Sequence, residues 1–265
     1  MRLVRLALAL AFSAAAADFH FVLLGDRTGE VQAGVFQKVL AQSAANRPAF
    51  LLTVGDTIQG GKDATAENEW KDVERILAPY RRIPLYLTPG NHDVWSAVSE
   101  SLFTKYSGHP LHYSFEYGGA HFAVLDNSRS DVMPAAEFAW LEADLRAHET
   151  AAVKMVISHR PSWLMDAALG NTNSALHKMA KQYGVCCVLA GHVHQLIHAE
   201  LGGVTYLAAP SAGGHLRLSA KYEDGWFFGW TKIDVKGSDV SFEVHSVDGQ
   251  VTGLGAWGRA GLVVR

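Results

Sequence analysis

Apolar runs and helix-like spacings alternate along most of this chain. Residues 19–24 form a β-rich apolar run that ends at Gly25-Asp26. Apolar positions over 31–46 recur at helical spacing. Residues 50–54 read as a strand ending at Gly55-Asp56, and 67–77 as a helix closed by Pro79. A short strand over 85–87 runs into Pro89-Gly90-Asn91-His92-Asp93. The runs 113–117 and 121–125 pair as a hairpin around Gly118-Gly119. A helix is predicted over 134–148, with Pro134 at its start. A strand over 153–157 leads to Ser158-His159, a helix covers 173–183, and a strand over 185–190 ends at Gly191-His192. Beyond that point the pattern is mostly β, over 196–201, 204–207, 226–235 and 240–245.

Strand–helix alternation followed by strands predicts an α/β sandwich whose two sheets are covered by helices. Polar groups recur where strands end: Asp26, Asp56, Asn91 with His92 and Asp93, His159, and His192 with His194. In open α/β sheets the C-terminal strand edge is where ligands bind. Five separate strands therefore deliver these groups to one place.

Composition narrows the classes. The 265 residues are 49% hydrophobic and 18% charged, which excludes a disordered chain and suits one α/β domain. A formal net charge of −3, with no clustered Lys/Arg stripe, argues against nucleic acid as a partner. The N-terminus stands apart. Arg2 and Arg5 precede an apolar run over 6–12 and small residues over 13–17. With an A-x-A site at Ala15-Ala16-Ala17, residues 1–17 read as a signal peptide cleaved after Ala17. The expectation is a periplasmic or secreted protein with a single domain over 18–265. No later segment is apolar for the roughly 20 residues that a membrane span needs. Cys186 and Cys187 are adjacent and lie in an apolar run, so they read as small buried hydrophobes and not as a disulfide.

The donor set has its own chemistry. Oxygen and imidazole ligands without thiolate suit Mn, Fe or Zn. A carboxylate such as Asp56 can bridge two cations. Two metals about 3.5–4 Å apart clamp both oxygens of a displacement at phosphorus and lower the pKa of water. Taken singly, each piece has a plainer role: Gly-Asp caps turns, Asn-His-Asp forms loops, and a lone His is more often structural. Their ordered coincidence at five strand ends is what points to a site.

Gly25-Asp26, Gly55-Asp56, Gly90-Asn91-His92-Asp93, His159 and Gly191-His192-Val193-His194 together resemble the calcineurin-like metallophosphoesterases. The resemblance implies a four-layer α/β-β/α sandwich of two mixed sheets flanked by helices. It implies two divalent or trivalent metal ions (Mn, Fe or Zn). One would be held by Asp26, Asp56 and His194, the other by Asp56, Asn91, His159 and His192. His92 would donate to phosphate or protonate the leaving group, with Asp93 orienting it. The implied activity is hydrolysis of small phosphomonoesters or phosphodiesters by metal-bound hydroxide. The alternative is a non-catalytic exported metal-binding protein on the same scaffold.

The first motif departs from the family pattern. Thr28 stands where the family usually has a ligand His. Purple acid phosphatases, which also lack that His, place a Tyr three residues after the second-motif Asp; here that residue is Gln59. Either its amide oxygen or water would fill the gap. Arg27 either contacts phosphate or turns away to a surface carboxylate. Arg160, His112, His121 and His245 read as structural, His215 as solvent-exposed, and Trp226, Phe227, Phe228 and Trp230 as core.

Overall fold

Strand β1 (Phe19–Leu24) is apolar without alternation from Phe21 to Leu24, where both its faces are buried. Phe21 and Leu23 enter one apolar cluster, Val22 and Leu24 another. In the computed structural model, which describes residues 17–254, this pattern recurs across two six-stranded sheets. The first sheet contains β1, β2 (Leu51–Thr53) and β3 (Leu85–Tyr86), mutually parallel. Its other strands are β10 (Gly229–Lys236), β11 (Asp239–Ser246) and β12 (Val251–Gly253), in the order β12-β11-β10-β1-β2-β3. The second sheet runs β4-β5-β6-β7-β9-β8. It comprises β4 (Tyr113–Tyr117), β5 (Ala120–Val124), β6 (Val153–Ile157), β7 (Cys187–Ala190), β8 (Ile197–Leu201) and β9 (Val204–Ala208). Strands β5, β6, β7 and β9 are parallel; β4 and β8 pair antiparallel at the edges.

The inner faces of the two sheets meet in one core. Phe21, Phe50, Phe122 and Ile233 are each 0% exposed within it. Phe50 stacks on Phe21 at 4.7 Å and meets Phe122 edge-on at 5.5 Å. Helix α1 (Val35–Ala45) covers the outer face of the first sheet through Phe36, Val39 and Leu40. Helices α4 (Ala135–Ala147) and α6 (Ala175–Tyr183) cover the second through Leu141, Leu145, Leu176 and Ala180. The order of layers is therefore helix, sheet, sheet, helix, as expected from the sequence. Helices α2 (Asp63–Leu77) and α3 (Ala97–Ser107) pack together through Trp70 and Phe103 beside the loops that follow β2 and β3.

Most expected elements form, with shifted ends. The strand expected over 226–235 begins at Gly229, because Trp226 and Phe227 are buried in the connection before it. Helix α3, the short α5 (Leu164–Ala168) and β12 fall where no element was expected. Helix α3 carries legible signals: Ser96 caps its start in a capping box with Ser99, and Gly108 ends it with φ 73°. Cys186 and Cys187 are free thiols, as expected. The expected leader over 1–17 lies, but for Ala17, outside the described residues, as do residues 255–265 of the expected domain. No helix among the described residues is long and apolar enough to cross a membrane.

Candidate functional site

Strands β1, β2 and β3 end on the same edge of the first sheet because they are parallel, and β6 and β7 do so on the second. The loops that leave these five ends carry Asp26, Asp56, Asn91–Asp93, His159 and His192–His194. Their side chains converge across the gap between the sheets. His159 Nε2 lies 2.9 Å from Asn91 Oδ1, 3.3 Å from Asp56 Oδ1 and 3.1 Å from His192 Nδ1. Its Nδ1 lies 3.6 Å from Asp26 Oδ1, and His194 Nε2 lies 3.5 Å from Asp26 Oδ2.

The local backbone is bent to achieve this. Asp56, His192 and His194 all have left-handed φ, at 55°, 70° and 59°. Each such residue costs about 1–3 kcal/mol, a strain that persists where surrounding packing over-determines it. Gly90 allows the loop after β3 to lie against Asp56: a Cβ there would collide with the Asp56 backbone nitrogen and Oδ1.

The donor atoms fit metal ions. The Asp26 carboxylate oxygens, Asp56 Oδ2 and His194 Nε2 are buried without a hydrogen-bond partner. Buried carboxylate oxygens with no donor are costly unless a cation takes that place. Both key imidazoles are held in the ligating tautomer. His159 Nδ1–H donates to the Val54 carbonyl at 2.8 Å and His194 Nδ1–H to the His215 carbonyl at 2.7 Å. Each Nε2 is thereby turned toward the carboxylates, with the orienting backbone contact that metal-bound histidines require. The 2.9–3.3 Å spacings around His159 Nε2 also match neighbouring ligands on a six-coordinate ion. Bonds of about 2.1 Å place such neighbours about 3 Å apart.

The electrostatics agree with the burial. Burial pushes the Asp26 carboxyl up to about 8; His159 opposes this and Asp56 adds to it. Burial opposes charging of His159, but the Asp56 carboxylate, aided by Asp26, carries it up to about 9. Asp56 itself is held well below the usual carboxylate range by its contacts with His159 and His92, against the effect of burial. Burial lowers His192 to about 3 and His194 to about 4, with positive neighbours His159, Arg160 and Arg217 contributing. Both are neutral at pH 7 and free to ligate.

Several residues sit otherwise than the sequence suggested. Asp93 does not orient His92. Its Oδ1 accepts from the Thr57 and Ile58 amides at 2.8 and 3.0 Å, and its Oδ2 from the Gly90 amide at 3.0 Å. Three converging N–H groups in adjacent loops hold that carboxylate, so it braces the loop carrying Asp56 against the loop carrying Asn91. His92 is oriented instead by the Gln59 carbonyl, 2.5 Å from its Nδ1. The Gln59 side-chain oxygen accepts from the Glu30 amide at 3.2 Å and is not turned to the ligands. Thr28 Oγ1 lies 2.7 Å from the Ile58 carbonyl and 3.0 Å from the Asp56 carbonyl, so its hydroxyl is used by the backbone. Arg27 forms no ion pair among the described residues. It donates to the Thr57 carbonyl at 2.8 Å and lies over the Phe36 ring at 5.7 Å.

Arg160 pairs with Asp131 at 2.5 Å and approaches His192 Nε2 at 3.3 Å. His112, His121 and His245 each meet a carboxylate away from the ligands, a structural role. Asn127 went unnoticed in the sequence. Its Oδ1 accepts from the His159 and Arg160 amides, fixing the loop after β6. Its signal was that of the other strands, a polar residue just beyond an apolar run.

Known proteins resemble this chain in sequence and fold. The family model described as calcineurin-like phosphoesterase matches residues 14–196. A 3',5'-cyclic-nucleotide phosphodiesterase of a Nostoc species is 26% identical over 187 residues, covering 66% of this chain and 68% of that protein. A 3',5'-cyclic adenosine monophosphate phosphodiesterase of Haemophilus influenzae is 26% identical over 227 residues, covering 80% and 79%. A purple acid phosphatase from yellow lupin seeds superposes with a TM-score of 0.68 at 15% identity, over 90% of this chain and 53% of that one. That structural likeness concerns the fold alone. The strand-end motifs, the sandwich and the family match agree: this chain belongs to the calcineurin-like phosphoesterases and is a hydrolase acting on phosphoric esters.

Proposed function

We propose that this chain is an exported hydrolase of small phosphoesters that works with a pair of metal ions. The observation that carries the reading is the set of buried acceptors without donors: both Asp26 oxygens, Asp56 Oδ2 and His194 Nε2. Asp26, Asp56 and His194 would hold one ion, and Asp56, Asn91, His159 and His192 the other. Bound there, the pair supplies positive charge against the phosphate oxygens and lowers the pKa of water.

The chain's own residues do the rest. The carbonyls of Val54 and His215 hold the His159 and His194 rings in one tautomer. The Asp93 carboxylate keeps the Asp56 and Asn91 loops in register. His92 stands half-buried at the mouth of the site, its Nδ1–H committed to the Gln59 carbonyl. A proton on Nε2 is then the one it can donate to a phosphate oxygen or a leaving alkoxide.

Export rests on the N-terminal pattern of Arg2 and Arg5, an apolar run and Ala15-Ala16-Ala17. A mature N-terminus at Asp18, read by mass spectrometry of protein from the native cell envelope, is the expected result; a retained Met1 would refute it.

Elemental analysis with paired assays tests the activity. Two ions per chain, with turnover of p-nitrophenyl phosphate or bis-p-nitrophenyl phosphate that is lost in EDTA, supports the reading. One ion or none, with no turnover of either ester, would replace it with a metal-binding scaffold. Rapid digestion of DNA would overturn the preference for small esters.

A further inference from the structure

The mouth of the metal centre opens into a cavity of about 400 Å³ lined by Gly29, Glu30, Gln59, His92, His215 and Arg217. Two features distinguish it. Among the described residues, no Phe, Tyr or Trp ring on which a nucleobase would stack lines it. It also contains a guanidinium with no partner: among the described residues, Arg217 makes no ion pair or hydrogen bond. The other two arginines beside the ligands are already engaged, Arg27 with the Thr57 carbonyl and Arg160 with Asp131.

Arg217 is held at this mouth by its loop. The Ala212 and Gly214 amides donate to the Asp26 carbonyl at 3.0 and 3.1 Å, and the His215 amide to the Gly29 carbonyl at 2.9 Å. The His215 carbonyl accepts from His194 Nδ1. The segment is thus tied to two ligand-bearing loops, and Arg217 follows two residues after the last tie.

We propose that Arg217 binds the non-bridging oxygens of substrate phosphate and selects a small, polar phosphomonoester over a diester. A planar fork of N–H donors matches two phosphate oxygens. A monoester carries close to two negative charges at pH 7 and a diester one. An unpaired guanidinium in the cavity that His92 also lines therefore gains more from the monoester. Glu30 lines the same space, and its carboxylate works against an anionic leaving group. The favoured leaving group is neutral or cationic and hydrophilic. The inference rests on the phosphoesterase reading above.

The test uses the full metal-loaded protein, wild type and with Arg217→Ala and Arg217→Lys. Calorimetry reads the binding of inorganic phosphate, and kinetics reads p-nitrophenyl phosphate against bis-p-nitrophenyl phosphate. Loss of a charge-assisted pair is expected to weaken phosphate binding and raise KM for the monoester about 10–100-fold in Arg217→Ala. kcat, metal content and melting temperature should stay close to wild type, KM for the diester should move much less, and Arg217→Lys should recover part of the loss. Unchanged phosphate binding and KM would overturn the proposal, as would a changed metal content, which would make Arg217 structural. Equal losses on both esters would overturn the selection of monoesters. A wild-type protein that neither binds phosphate nor turns over either ester would overturn the phosphoesterase reading itself, and this inference with it.

Discussion

Thr28→Val tests what the first motif does in place of the usual imidazole. Thr28 is 0% exposed, and its hydroxyl lies 2.7 Å from the Ile58 carbonyl and 3.0 Å from the Asp56 carbonyl. Valine keeps the shape and removes the donor. One buried carbonyl then loses its partner, a cost of about 1–3 kcal/mol. In a domain of about 150–250 residues each kcal/mol moves Tm by about 2–4 °C, so a drop of about 2–12 °C is expected. The loss must appear in metal-free protein, because the contact is between side chain and backbone. Thr28→Ser keeps the hydroxyl and should retain most of the stability. Mn²⁺ affinity should fall only as far as the Asp56 loop loosens. Differential scanning calorimetry in EDTA, with Mn²⁺ titration alongside, measures both. If Thr28→Val leaves the metal-free Tm within about 1 °C while Mn²⁺ affinity collapses, the hydroxyl is a ligand and the reasoning fails.

Three further outcomes follow from the same geometry. Asp93→Asn turns an amide toward the Gly90 N–H and so unseats the brace between two ligand loops; Mn²⁺ affinity should fall about 10–100-fold. An unchanged affinity with a loss of kcat equal to that of His92→Ala would return Asp93 to the orienting role. In metal-free protein Asp26 and His159 hold protons up to about 8 and about 9, above their ordinary 3.8 and 6.5. The native state then binds protons that the unfolded chain has lost, so their contribution to stability falls as pH rises from 7 to 9. Metal binding requires deprotonated ligands and should strengthen over that window. A metal-free Tm that climbs from pH 7 to 9 in calorimetry would contradict this. Phe50→Ala empties a site packed by Phe21, Phe122 and Phe115 and should cost about 3–5 kcal/mol in urea unfolding. A cost below about 1 kcal/mol would mean that the sheets do not depend on this ring cluster.

The strand ends were legible in the sequence because two local patterns coincide there. A strand buried on both faces is a continuous apolar run, as at residues 21–24 and Cys187–Ala190, and a polar residue soon after it is conspicuous. Parallel strands joined by helices all end on one edge, so the candidate ligands were expected together before any distance was known. Helix α3 also carries local signals, a capping box at Ser96 and a left-handed Gly108, although no element was expected there.

What each side chain touches was decided only by the tertiary structure. Asp93 follows His92 in sequence, yet its carboxylate turns to amides at Thr57, Ile58 and Gly90 that fold brings near. The orienting acceptor for His92 is a backbone carbonyl, and every residue type carries one, so nothing in the sequence marks Gln59 for that role. Thr28, Arg27 and Gln59 are likewise spent on backbone groups from other loops. Arg217 stands 191 positions after Asp26 and reaches the same mouth only because its loop hydrogen-bonds to the Asp26 and Gly29 carbonyls. The sequence alone determined which chemical groups are available and at which edge they gather. Burial and long-range backbone hydrogen bonds, which no local pattern encodes, determined which of those groups are left without a partner among the described residues.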